Sequence, residues 1–147
     1  MKKRINAFTL LLQLMITGVL TFVESYWAMK PYDNQPSSSC LDCILELDLF
    51  WLSAITIIII GLFLLISNWL KMKKPIQLIL NMVILIGLWL WINNITFIER
   101  EASWSTFTTT EEWISTLWIS FFPILVCGSI YFCILYFLVY KKLNEKI

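Results

Sequence analysis

The sequence predicts an all-α, polytopic membrane protein. Four transmembrane helices should pack as an antiparallel bundle, with both termini in the cytoplasm. Three observations carry that expectation. Hydrophobic residues make up 59% of the 147 and charged residues only 14%, far from the balance of a soluble domain. The charges fall in clusters, and four long uncharged stretches separate them. The basic residues divide very unequally between the two sides that four alternating crossings create.

The uncharged stretches are residues 5–23, 49–70, 75–98 and 113–140, or 19, 22, 24 and 28 residues. A helix rises ~1.5 Å per residue, so roughly 20 apolar residues cross a hydrocarbon core of ~30 Å. Each stretch reaches or approaches that length, and the chain is predicted to be a single membrane domain. It is too short to bury four such helices inside a soluble shell. One side receives Lys2, Lys3, Arg4, Lys71, Lys73, Lys74, Lys141, Lys142 and Lys146, the other only Lys30 and Arg100. That asymmetry places the termini and the 71–74 turn inside. Nine of the ten acids fall outside, leaving Glu145 within. Together with the small size and the lysine- and isoleucine-rich composition, this points to the cytoplasmic (inner) membrane of a bacterium.

The first helix has the basic start and apolar run of a signal peptide. No small-x-small cleavage site follows it, so a retained anchor is expected. Helices two and three are joined by Lys71-Met72-Lys73-Lys74, with Pro75 suited to a first helical turn, and must be antiparallel neighbours. Residues 24–48 contain Pro31, Asp33-Asn34, Pro36 and three serines, the composition of a surface loop. Ser39-x-x-Asp42 matches a capping box that would start helix two outside the bilayer. Thr108-x-x-Glu111 and Thr109-x-x-Glu112 match the same pattern ahead of helix four. Pro123 should kink helix four, whose length exceeds a straight crossing.

Gly18, Gly61, Gly87 and Gly128 fall one in each stretch and are candidates for close helix packing. Gln13 and Asn81 are candidates for interhelical hydrogen bonds. Of the eight tryptophans, Trp27, Trp51, Trp104, Trp113 and Trp118 are expected at the outer interface and Trp69 at the inner one. Trp89 and Trp91 lie deeper, on different helix faces.

Absences narrow the chemistry. There is no histidine, which excludes imidazole-ligated haem and histidine proton relays. No acid or base lies within an uncharged stretch, which argues against charge-coupled transport. No metal site and no resident cofactor are expected. Nucleic-acid binding has no support, because the inner basic residues sit beside membrane boundaries.

Cys40-Leu41-Asp42-Cys43 is the one motif with reactive potential, in the compartment where disulfides persist. Cys127 and Cys133, six residues apart on helix four, point to different faces. A CxxC outside, just before the second of four helices, resembles the bacterial quinone-reducing disulfide oxidases. The resemblance covers the topology and Cys40/Cys43. It implies electron transfer from a partner thiol to a quinone. The chain departs from that family in two ways. Residues 99–112 hold no second cysteine pair, and Ile44-Leu45-Glu46-Leu47-Asp48 stands where an arginine is expected.

The leading expectation is therefore a non-catalytic protein that packs in the lipid bilayer against another membrane protein, as an accessory subunit or in the manner of toxin-immunity proteins. Its acidic outer loops would suit a basic partner. The alternative is a thiol-disulfide oxidoreductase using Cys40 and Cys43. A third is a small homo-oligomeric channel lined by Gln13, Thr17 and Thr21.

Overall fold

The computed structural model describes residues 7–137. The basic residues at the two termini, Glu145 and Tyr140 lie outside the described residues, as do the extreme ends of the first and fourth predicted stretches. The chain is all-helical: α1 spans Ala7–Met29, α2 Leu45–Trp69, α3 Lys74–Arg100 and α4 Thr109–Tyr136. Short 3-10 turns at Lys30–Tyr32 and Ala102–Trp104 sit in the two long connections. All four helices are long and apolar enough to cross a bilayer. α1 packs on α2, α4 and α3, while α3 also packs on α2 and α4.

The helix ends follow local chemistry rather than the charge clusters. α1 passes Val23 and stops at Met29, since Pro31 has no N–H to continue the α-helical ladder and the chain tightens into a 3-10 turn. α4 starts with Thr108 as N-cap, and the capping box with Glu111 is closed in both directions. The expected cap of α2 by Ser39 is corrected. The helix begins at Leu45 with Ile44 as its N-cap, and the Ser39 hydroxyl pairs with Ser37 instead.

Between α2 and α3 the chain turns through Lys71 at φ 54°. The Met72 and Lys71 amides donate to the carbonyls of Ser67 and Asn68. This is a Schellman ending with lysine in the left-handed position that usually takes glycine. Gln77 Nε2 then donates to Ser67 Oγ at 2.7 Å, holding α3 antiparallel to α2.

The polarity of the bundle is inverted relative to a soluble domain. Along α1 the exposed stripe is Leu11, Met15, Val19, Val23 and Trp27, while Gln13, Thr17, Thr21, Glu24 and Ser25 are buried. α3 repeats the pattern, with Ile76, Ile79, Val83 and Trp91 outward and Gln77, Asn81, Asn93 and Asn94 inward. Seven of the eight tryptophans are exposed and Trp89 alone is fully buried. Such continuous apolar surface suits lipid and would aggregate in water.

The glycines play unequal parts. A methyl on Gly18 would collide with the Ile57 side chain, so α1 and α2 approach closely there. Gly61 faces Leu14 at 3.6 Å and Gly128 faces Trp89 at 3.9 Å, ordinary packing distances. Gly87 is corrected as a packing residue. It lies on the exposed face with Val83 and Trp91, and nothing stands within 4 Å of where its Cβ would be. A leucine at position 18 should therefore cost about 1–3 kcal/mol through overpacking. The same change at position 87 should stay within about 0.5 kcal/mol. Unfolding of the two variants in mixed micelles checks the contrast, and equal losses would contradict it.

Candidate functional site

The interior polar residues form rungs that join α1, α3 and α4. Toward the end of the bundle that holds the Lys71 turn, Asn81 Nδ2 donates to the Tyr131 hydroxyl at 3.0 Å. Thr17 gives its proton to the Gln13 carbonyl at 2.8 Å, so Tyr131 must donate to Thr17 Oγ1 at 3.0 Å. The Asn81 bond thus runs from α3 to α4. Gln13 takes part through its backbone, with its side chain buried. One turn further, the Trp89 indole N–H donates to Thr21 Oγ1 at 2.9 Å. α4 runs unbroken through Pro123, whose buried ring faces the same interior.

The next rung contains a charge. Glu24 is fully buried, and Asn93 Nδ2 donates to its Oε1 at 2.9 Å. Ser25 donates to the other carboxyl oxygen at 3.1 Å. The same Asn93 Nδ2 also donates to Ser120 Oγ on α4 at 2.9 Å. The expectation that no acid or base lies within a spanning stretch is thus corrected for α1, which runs past residue 23. Glu24 marks the end of an uncharged run but lies more than a turn inside α1. The signal was present in the spacing, since Glu24 and Ser25 continue the Gln13-Thr17-Thr21 face. That face is turned into the chain's own interior.

Arg100, the last residue of α3, is the second buried charge at 2% exposure. Its guanidinium donates to the Gln35 carbonyl at 2.8 Å, the Cys43 carbonyl at 3.0 Å and Asp48 at 2.9 Å. One side chain thereby ties α3 to the 30–44 loop and to the first turn of α2. Ser38 and Trp104 add bonds across the same cap: the Ser38 amide donates to the Glu99 carbonyl and the Trp104 indole to the Pro36 carbonyl. Cys40 and Cys43 are disulfide-bonded within this loop. Cys127 is buried and Cys133 exposed, both as free thiols on α4, in line with their different faces. An arginine does stand beside the CxxC, supplied by α3 rather than by the residues that follow the motif.

Beside the cap, an open groove of about 190 Å³ is lined by Tyr32, Phe97, Phe107, Trp118 and Ile119, with Glu101 and Ser115 as its polar groups. Phe97 packs edge-on against both Tyr32 and Phe107 at 5.5 Å, which fixes the aromatic wall. No group of three or more metal-ligating side chains occurs among the described residues. No protein-family model, no curated protein and no solved structure matches the chain, so the residues themselves carry the functional argument.

Replacing Arg100 by Gln should lower stability by about 2–3 kcal/mol. It leaves Asp48 unpaired, although the 30% exposure of Asp48 keeps the loss below that of a sealed ion pair. Thermal unfolding of the purified variant tests this, and an unchanged Tm would show that the cap does not depend on the guanidinium.

Proposed function

We propose that this chain is a membrane-embedded binding protein of a bacterial inner membrane, with cytoplasmic termini, and that its outer face receives a basic segment of another membrane protein. The carrying observation is the aromatic groove with Glu101 at its edge, set on an end of the molecule whose own cations are committed. Arg100 is buried against Asp48. Lys30 donates to Tyr26 at 3.0 Å and lies over its ring. Asp33, Asp42, Glu46, Glu101, Glu111 and Glu112 have no ion-pair partner among the described residues. A lysine or arginine from a partner would find aromatic faces for cation–π contact and a carboxylate for its charge. Binding of that kind serves an accessory subunit or an immunity protein equally well.

Exchange chemistry at Cys40 and Cys43 has less support. A relay to a quinone needs a second dithiol within reach. The other two cysteines lie on α4, one inward and one outward. In this reading the Cys40–Cys43 bond fixes the turn ahead of α2.

The test is purification of the full chain from native membranes in a mild detergent, with a photo-crosslinking group in place of Trp118. A stoichiometric partner, crosslinked through a lysine- or arginine-rich segment, is the expected result. Its recovery should fall at least about 10-fold with Glu101→Lys and with raised salt, since exposed charges are screened within about 10 Å at 0.1 M. The Cys40→Ser/Cys43→Ser variant should still bind. Equal recovery with Glu101→Lys would overturn the proposal, as would a solitary wild-type protein.

A further inference from the structure

We propose that the groove beside the cap recognises one primary alkylammonium group, which on a protein partner is a lysine side chain rather than an arginine. This deepens the binding proposal and rests on its reading of the groove as the receiving surface. Three segments bring the groups together. Phe97 and Glu101 stand four residues apart at the end of α3, and Tyr32 closes the 3-10 turn after α1. Ser115 and Trp118, three apart, share a face of α4. The charge they surround is uncompensated. Glu101 is half-buried, and its carboxylate makes no hydrogen bond or ion pair among the described residues. Arg100, its chain neighbour, directs its donors to Gln35, Cys43 and Asp48. Lys30 bonds Tyr26, and the acids within its electrostatic reach are Asp33 and Glu46. The Glu101 charge does reach the Tyr32 hydroxyl, so it acts at the aromatic wall. Among the described residues nothing answers that charge, and the cation must come from outside.

The wall selects the kind of cation. Phe97 meets Tyr32 at 83° and Phe107 at 80°, so neighbouring rings turn their negative faces in different directions. A rounded ammonium is attracted by faces at any angle, whereas a planar guanidinium stacks on one ring at a time. The polar groups agree with this choice. The Tyr32 and Ser115 hydroxyls have no hydrogen-bond partner among the described residues. With Glu101 they offer oxygens to the N–H donors of a primary ammonium, which a quaternary ammonium would leave unused. Lys30 shows the same mode within the chain: its ammonium lies 4.8 Å from the Tyr26 ring centroid and bonds the hydroxyl.

The experiment uses the purified full chain in a nonionic detergent, labelled with fluorinated tryptophan. It follows the fluorine resonance of Trp118, which is 84% exposed and is identified by its loss in Trp118→Phe. The probes are n-butylammonium, n-propylguanidinium, tetramethylammonium and n-butanol at constant ionic strength. Butylammonium should shift the resonance saturably, and each of the other three should bind at least about 5-fold more weakly. Glu101→Gln should weaken butylammonium by about 10-fold. Phe107→Leu should weaken it as well, while Glu101→Asp, which keeps the charge, should retain most of the binding and covers the case in which the glutamine variant fails to fold. Equal binding of the guanidinium or of butanol would overturn the assignment, as would an unchanged affinity in Glu101→Gln. A Trp118 shift already saturated by phosphatidylethanolamine in the micelle would also overturn it, by giving the groove to a lipid headgroup. Failure here is distinguishable from failure of the binding proposal. A partner crosslinked through an arginine keeps that proposal and sinks this one, and a solitary chain that binds butylammonium does the reverse.

Discussion

The structure depends on one constraint: polar side chains carried into an apolar surrounding must find their partners on neighbouring helices. Lipid offers no donors or acceptors, and small residues and hydrogen bonds replace the hydrophobic effect as the source of helix association. Thr17, Thr21 and Glu24 on α1 therefore meet Asn81, Trp89 and Asn93 on α3 and Tyr131 and Ser120 on α4. These bonds choose which face of each helix turns inward. Packing of Ile60, Leu64, Leu85 and Leu135 around Trp89 and Tyr131 then fills the space between rungs.

A second level of organisation sits at the loop end. There the backbone leaves helical geometry and its carbonyls need donors. Arg100 supplies two of these bonds and pairs with Asp48, so the loop, α2 and α3 share one anchor. Apolar packing of Met29, Leu45, Leu49 and Phe97 lies beneath it. The groove opens beside this rigid cap, so its aromatic wall is formed before any partner arrives.

Much of the architecture was legible in the sequence because lipid imposes strong constraints on composition. The four charge-free stretches gave the helices, Lys71–Lys74 the tight turn and Thr108/Glu111 the start of α4. The opposite fates of Trp89 and Trp91, and of Cys127 and Cys133, follow from helical rotation alone. Helix ends were less legible, because a charge shows where polar surroundings begin to be tolerated, not where helical hydrogen bonding stops. Glu24 was hidden for that reason. Gly87 shows the converse difficulty: a small residue permits close approach but does not say which side a neighbour occupies. Arg100 could not be placed beside Cys43 from sequence, since 57 residues separate them and only the packing of α3 on α2 brings them together.

The Tyr131 hydroxyl has a mechanical consequence. It accepts from Asn81 on α3 and bonds Thr17 on α1, so a single oxygen registers three helices. A slide of α1 or α3 by one residue, about 1.5 Å along its axis, would break its bond to that oxygen, and a slide of α4 would break both. Rotation about that level preserves them. The bundle is thus pinned against sliding at this level, while the Thr21–Trp89 and Glu24–Asn93–Ser120 rungs and the Arg100 anchor hold the same helices nearer the loop end.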